Sequence, residues 1–138
     1  MSETVQIKTP WLASKDPEVP STLNYSTLSM CGRVEEMVRQ YPNYIAYEFM
    51  GKTTTYAEMW QKINACAKSL KAIGIREGDK VTICMPNAPQ TLCMFYAVNM
   101  VGAIANMVHP LSAESEISFY LRDSNSVAAI TLDQFYPK

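Results

Sequence analysis

The sequence predicts an α/β fold, with a β-hairpin followed by a parallel sheet in the order β-α-β-α-β and helices flanking it. Three observations predict this fold. Apolar residues recur at helical spacing over residues 56–73. Residues 80–85, 104–108 and 127–132 are apolar enough for buried parallel strands. Short loops with isolated glycines or capping residues separate these segments, so the strands are joined by right-handed crossovers through helices.

Length and composition indicate one domain with a proper core. The chain has 138 residues, of which 48% are hydrophobic and 18% charged, and this excludes general disorder. Its net charge of −1 offers no electrostatic basis for binding nucleic acid, which depends on basic side chains.

The first part of the chain is predicted to be an arm followed by a helix. Residues 1–28 contain prolines at positions 10, 17 and 20 and no sustained periodicity, which predicts an extended arm. Residues 29–40 are predicted to form a helix that ends before Pro42. Its apolar positions at helical spacing are Met30, Val34, Met37, Val38 and Tyr41.

A hairpin is predicted next. Residues 44–50 alternate in polarity, and Gly51-Lys52 is interpreted as a two-residue turn into residues 53–55. The residues expected on one strand face are Ile45, Tyr47 and Phe49.

The helix over residues 56–73 has clear signals at both ends. Thr55 and Glu58 have the spacing of a capping box, and Gly74 is expected to end the helix in a left-handed conformation. One apolar stripe runs along it: Tyr56, Met59, Trp60, Ile63, Ala67, Leu70 and Ile73.

The parallel sheet follows after a turn at Gly78-Asp79. Asn87, with Gln90 three residues later, is predicted to cap the helix that ends at Gly102. Ser112 is predicted to cap a shorter helix that runs to Asp123. Residues 92–108 are nearly long enough to span a membrane, but Asn99, Gly102 and Asn106 interrupt them; a buried helix and strand are predicted there, and no transmembrane segment.

Motifs for chemistry are absent from the sequence. Its 5 glycines do not cluster, so it contains neither the phosphate-binding GxxxxGK[ST] loop nor a GxGxxG fingerprint. No residue is assigned a catalytic, cofactor-binding or metal-binding role. The cysteines have no CxxC spacing and are predicted to be small core residues in a reducing compartment: Cys31, Cys66, Cys84 and Cys93.

The single histidine is the one candidate site residue. His109 follows a predicted parallel strand at its carboxyl end, where open α/β sheets bind ligands. The alternative is a hydrogen bond to the loop backbone beside Pro110. No partner carboxylate or nucleophile is apparent for it in the sequence.

Four segments carry a family resemblance. In chain order they are TTYAEM (residues 54–59), GIREGDKV (74–81), MPNAPQ (85–90) and the stretch from VGAI to Pro110 (101–110). In this order and at these spacings they resemble the adenylate-forming superfamily, which includes acyl-CoA synthetases, luciferases and peptide-synthetase adenylation domains. The resemblance covers about residues 30–132.

The N-terminal arm makes the resemblance specific to one group within this superfamily. Pro10-Trp11-Leu12, Val19-Pro20 and the pair Asn24-Tyr25 are similar to the N-terminus of fatty-acid–CoA ligases. Two departures concern a strand end: Met107 stands where the family usually has Pro, and His109 where it usually has Asn or Asp.

The resemblance implies that residues 29–138 are the first, incomplete part of a large AMP-binding domain in a cytoplasmic enzyme. The intact protein would use Mg-ATP to convert a fatty acid to an acyl-adenylate and pass the acyl group to coenzyme A. Its catalytic and substrate-binding residues would come later in the chain, so this part is expected to be inactive scaffold that binds no cofactor. It is also expected to expose an apolar face and a strand edge, and therefore to dimerise.

The alternative is a free-standing flavodoxin-like module that binds a ligand or regulates without catalysis. Such a module would need ligand loops at the carboxyl ends of the strands. The loops available are residues 86–89, residues 109–112 and the segment after Leu132, and all of them are short.

Overall fold

The computed structural model describes residues 8–135. Along them the chain forms an α/β fold with two sheets, a β-hairpin and a parallel sheet of three strands. The helices are α1 (Met30–Gln40), α2 (Tyr56–Ala72), α3 (Pro89–Val101) and α4 (Glu114–Asp123). The strands are β1 (Ile45–Phe49), β2 (Lys52–Thr55), β3 (Lys80–Cys84), β4 (Ile104–Met107) and β5 (Ala128–Thr131). Short 3-10 helices form at Pro10–Ser14 and Asp133–Phe135.

The N-terminal arm is not uniformly extended, and the prediction was wrong on this point. Residues 1–7 of it lie outside the described residues, but Pro10–Ser14 forms a turn of 3-10 helix. Proline at the start of that turn has a backbone φ already suited to a helix, which explains the difference. The described arm leaves its large apolar side chains exposed: Trp11, Leu12, Val19, Leu23, Tyr25 and Leu28.

Helix α1 begins as the sequence predicts. The Ser29 hydroxyl accepts a hydrogen bond from the Gly32 N–H at 3.0 Å, which satisfies one of the free donors of the first turn. A second donor, the Cys31 N–H, reaches Asn99 Oδ1 of α3 at 3.0 Å. This bond fixes the start of α1 against α3.

The hairpin turns one residue earlier than predicted. Phe49 pairs with Lys52, so the turn residues are Met50 and Gly51, with φ of +50° and +76°. A two-residue turn whose twist matches that of the flanking strands needs a positive φ at both positions, and glycine takes the second of them. An irregularity in the register between Ile45 and Tyr47 also breaks the predicted alternation.

Helix α2 confirms both predicted end signals. The Thr55 N–H donates to the Glu58 carboxylate at 2.8 Å, and the Glu58 N–H donates back to the Thr55 hydroxyl at 3.3 Å. At the other end Gly74 has φ of +96°. The predicted stripe is buried at Met59, Ile63, Ala67 and Leu70, whereas Ile73 is 72% exposed because it lies beyond the last helical turn.

The parallel sheet has the strand order β4-β3-β5. In register, Val81 of β3 lies between Ala105 and Ala128, and Ile83 lies between Met107 and Ile130. The predicted β-α-β-α-β arrangement is therefore confirmed. Within the described residues β4 and β5 each pair on one side only, so the sheet has two open edges.

The core lies between one face of this sheet and helices α2 and α3. Val81 and Ile83 of β3 point into it, and both are fully buried. The buried residues that they meet come from the two helices and the adjoining loops: Met59, Ile63, Ala67, Leu70, Ile75, Met85, Cys93, Ala97, Val98, Val101 and Ala103.

The other face of the sheet carries a group of hydrogen-bonded polar side chains around Thr82, a departure from the apolar strands that the sequence predicts. The Thr82 hydroxyl is fully buried, accepts from Asn106 Nδ2 at 2.9 Å and lies 2.7 Å from the Ser126 hydroxyl. Ser126 lies 2.8 Å from the Ser124 hydroxyl, which donates to the Tyr120 carbonyl at 2.7 Å. Because each hydroxyl has one proton, the bonds run in one direction, from Asn106 through Thr82, Ser126 and Ser124 to the end of α4.

Two helix starts differ from the predictions by one residue. Ala88, not Asn87, caps α3, because Pro89 takes the first helical position; the Thr91 hydroxyl donates to the Pro86 carbonyl at 2.6 Å. Ala113, not Ser112, caps α4, and its N–H donates to the Glu116 carboxylate at 2.9 Å. In the part of the chain that the structure describes, no helix is long and apolar enough to cross a membrane.

Candidate functional site

The carboxyl edge of the parallel sheet carries a groove of about 480 Å³. It lies where open α/β sheets bind ligands, at the ends of β3 and β4. Its walls are formed by Met85, Pro86, Asn87, Met107, Val108, His109, Pro110, Leu111 and Phe135. Both predicted ligand loops and the segment after Leu132 thus meet at one place.

His109 lies on the rim of this groove with an exposed side chain. Its Nδ1 accepts a hydrogen bond from the Leu111 N–H at 3.2 Å, so the ring proton is on Nε2 when the ring is neutral. Its carbonyl accepts a long bond from Cys84 Sγ at 3.9 Å. His109 thus makes the predicted hydrogen bond to the loop backbone, while a ligand-binding role for it stays a prediction. The same bonds hold the loop over the end of β3.

A second groove, of about 450 Å³, adjoins the first and was not found from the sequence. The two share Asn87 and Met107. Its walls combine the hairpin with the first turns of α3: Tyr47, Glu48, Phe49, Ala88, Pro89, Thr91, Leu92, Phe95 and Tyr96. The rings of Phe95 and Tyr96 stand edge to face with centroids 5.4 Å apart. The aromatic residues show no spacing in the sequence that indicates where these rings meet.

The two grooves can receive apolar groups, but they contain no cation. The loops after the three parallel strands, residues 85–88, 108–113 and 132–135, have no lysine or arginine. The carboxylates and the imidazole in these grooves and loops belong to Glu48, Asp133 and His109. Over residues 8–135 no group of three or more His, Cys, Asp or Glu side chains is placed to hold a metal ion.

None of the four cysteines is among the residues that line these two grooves. Cys31, Cys84 and Cys93 are buried, as predicted for small core residues, and Cys66 is half-buried. Burial raises the pKa of the Cys31, Cys66 and Cys93 thiols above the usual value. Cys66 and Cys93 line a third, smaller cavity of about 300 Å³ between α2 and α3.

The order of the motifs, the parallel sheet and the strand loops without lysine or arginine fit one class of protein. The comparison with known families identifies this class. Residues 34–137 match the family described as AMP-binding enzyme. The chain belongs to this family of adenylate-forming enzymes.

Curated proteins to which the chain is similar include two long-chain-fatty-acid–CoA ligases. The chain is 31% identical over 134 residues to a long-chain-fatty-acid–CoA ligase of Bacillus subtilis, covering 97% of this chain and 24% of that protein. It is 42% identical over 76 residues to the long-chain-fatty-acid–CoA ligase FadD13 of Mycobacterium tuberculosis, covering 55% of this chain and 15% of that one. The chain therefore spans at most about a quarter of the length of these relatives.

Solved structures agree on the fold. The N-terminal domain of FACL13 from Mycobacterium tuberculosis superposes with a TM-score of 0.76 at 32% identity, covering 80% of this chain and 29% of that one. The N-terminal subdomain of NpsA from Klebsiella oxytoca gives 0.73 at 24% identity, covering 76% and 28%, and supports the fold alone. The predicted family and fold class are confirmed.

Proposed function

We propose that this chain is the N-terminal scaffold of an ATP-dependent acyl-CoA synthetase. The intact enzyme activates a carboxylic acid, most simply a fatty acid, as an acyl-adenylate and then transfers the acyl group to coenzyme A. The ligase names of the relatives that align with the chain support the reaction.

The scaffold role is supported by one observation: among residues 8–135, the loops at the carboxyl edge of the sheet contain no lysine or arginine. Transfer of an adenylyl group needs cations and backbone donors around the triphosphate, where negative charge develops. The loops there have no basic side chain, and Asp133 after β5 is acidic. These residues do not fit Mg-ATP or the phosphates of coenzyme A, so the groups that hold both belong to other parts of the intact enzyme.

The source gene provides the test. A reading frame that continues past Lys138 into a Ser/Thr/Gly-rich loop ending in Pro-Lys supports the proposal, because that loop would supply the missing cation. A stop codon directly after Lys138 contradicts it and favours the free-standing module.

This part of the enzyme, taken alone, is proposed to self-associate as a dimer. Among the described residues no strand pairs with the outer edges of β4 and β5, and Ile104 and Met107 of β4 are 52% and 50% exposed. Phe119 of α4 and Val127 beside β5 are also more than half exposed. Open edges and apolar side chains of this kind favour association.

Burying about 400 Å² more apolar surface would contribute roughly 10 kcal/mol before the entropy cost of association. Light scattering after gel filtration, at micromolar and higher concentration, should give the mass of a dimer. A monomer over the whole range would contradict this proposal without affecting the proposed reaction.

A cytoplasmic location is proposed as well. The buried thiols of Cys31 and Cys93 are typical of proteins in a reducing compartment. Fractionation of cells that express the intact gene tests it, and recovery of the protein outside the cytoplasm would contradict it.

A further inference from the structure

Two cysteines lie on facing helices of the core. Cys66 belongs to the inward side of α2, three residues after Ile63 and four before Leu70, both of which are buried. Cys93 belongs to α3 and is 4% exposed. Ala97, one turn after Cys93, is fully buried and small, which lets the two helices approach closely.

The two side chains line the same cavity of about 300 Å³. Lys62 lies one helical turn before Cys66 and lines the cavity too, with its Nζ donating to the Tyr47 hydroxyl at 3.4 Å. Its ammonium group is the one cation in this cavity, and its charge favours the thiolate of Cys93. Cys66 is half-buried and Cys93 is buried, so Cys66 is the more accessible of the two thiols to a small solute.

We propose that Cys66 and Cys93 form an oxidisable dithiol, which a hydroperoxide converts to a disulfide joining α2 to α3. In the first step the Cys66 thiolate attacks one peroxide oxygen, an S–O bond forms as the O–O bond breaks, and Cys66 becomes a sulfenic acid. The other oxygen takes up a proton and leaves as water or an alcohol. In the second step the Cys93 thiolate attacks the Cys66 sulfur, the S–O bond breaks and water leaves. Overall two thiols lose two hydrogens and two electrons, and the peroxide is reduced.

The environment sets the rate of this reaction. Burial raises the pKa of both thiols, and the neighbouring charge of Cys66 raises that of Cys93 further. Since the thiolate is the reactive form, oxidation is slow at neutral pH and accelerates as the pH rises. A thiol reductant reverses it.

The remaining cysteines serve as internal controls. Cys31 lies in the first turn of α1 and Cys84 ends β3, and neither lines the cavity. The reduced chain is treated with one equivalent of hydrogen peroxide, the remaining thiols are alkylated, and peptides are mapped without reduction. Two of the 4 cysteines should no longer react with the alkylating reagent, because they are joined in a disulfide. They should appear in one cross-linked peptide pair that contains Cys66 and Cys93, with Cys31 and Cys84 alkylated.

Two controls test whether the fold selects this pair. In concentrated urea the same treatment should distribute the cross-links over several cysteine pairs. The variant Cys66→Ser should lose the cross-link, while Cys31→Ser should keep it. Native protein that gives a different pair, a mixture like that in urea, or no cross-link at all would overturn the proposal. Because the wild-type map alone distinguishes these results, a variant that fails to fold does not prevent the test.

Discussion

Replacing Gly102 with alanine should destabilise the fold for two separable reasons. Gly102 ends α3 with φ of +82°, in the left-handed region, where a side chain is unfavourable. A Cβ placed there would also lie 3.0 Å from Cγ and 3.3 Å from Cβ of Glu77, at the turn before β3. The Gly102 carbonyl accepts a bond from the Gly78 N–H at 3.0 Å, so the two segments cannot separate without losing it.

Gly78 provides a matched control. Its φ is also +82°, but a Cβ there would have no heavy atom within 4 Å. Gly78→Ala should therefore incur only the cost of holding alanine in the left-handed conformation, about 1–2 kcal/mol of unfolding free energy. Gly102→Ala should cost about 1 kcal/mol more, the lower end for overpacking, since Glu77 is exposed and its side chain can shift in part.

Urea unfolding followed by circular dichroism, at one fixed protein concentration, measures these differences. Adding Glu77→Ala to Gly102→Ala removes the Cγ contact but leaves Cβ, so it should recover part of the additional loss. Equal losses for the two single glycine variants would refute the steric term. No loss in either variant would refute the backbone argument.

Three further predictions follow from single contacts. Thr82→Val keeps the shape of a buried side chain but leaves the partners of its hydroxyl unpaired, and should cost about 1–3 kcal/mol in the same unfolding assay; a neutral result would contradict the directed chain of hydrogen bonds. Hydrogen bonds from the Thr55 N–H and hydroxyl lower the pKa of Glu58, so its contribution to stability is present above the unfolded-state pKa and is lost as the pH falls through the folded-state value. Glu58→Gln should therefore destabilise the chain at neutral pH and lose that effect in acid, and a difference that does not change with pH would contradict this. His109→Ala should leave fatty acyl-CoA formation by the complete enzyme within about tenfold, or ~1.4 kcal/mol, and a thousandfold loss would make His109 a catalytic group.

Much of the fold could be predicted because its signals are local. The Thr55–Glu58 box and the glycine after α2 depend on bonds within a few residues, and both were found in the sequence. The parallel strands could be predicted because buried strands between capped helices have few other arrangements.

The errors arose where two local signals compete or where partners are distant in sequence. Asn87 and Ser112 are better capping residues than the alanines that follow them, but Pro89 and Glu116 place the two helix starts one residue later. The polar side of the sheet depends on Thr82 meeting Ser126, which is 44 residues away. No periodicity within one strand contains that information.

The candidate site, too, could be predicted in part, where its signals are local, and not where it depends on tertiary packing. The groove at the ends of β3 and β4 could be located because parallel strands end at the same edge. The second groove could not, since it requires Phe49 of the hairpin to lie beside Phe95 and Tyr96 of α3, and the relative placement of the hairpin is a tertiary property. The facing positions of Cys66 and Cys93 are tertiary in the same sense.

The most direct test of the scaffold role is fatty-acid-dependent exchange between ATP and pyrophosphate, measured on two proteins in parallel. One is the product of the complete source gene, and the other is the 138-residue chain alone. We expect exchange with the complete product and none above the protein-free control with the chain alone, because the described strand loops, residues 85–88, 108–113 and 132–135, contain no lysine or arginine to hold the triphosphate. Exchange by the chain alone, once contaminating ligase is excluded, would contradict the account.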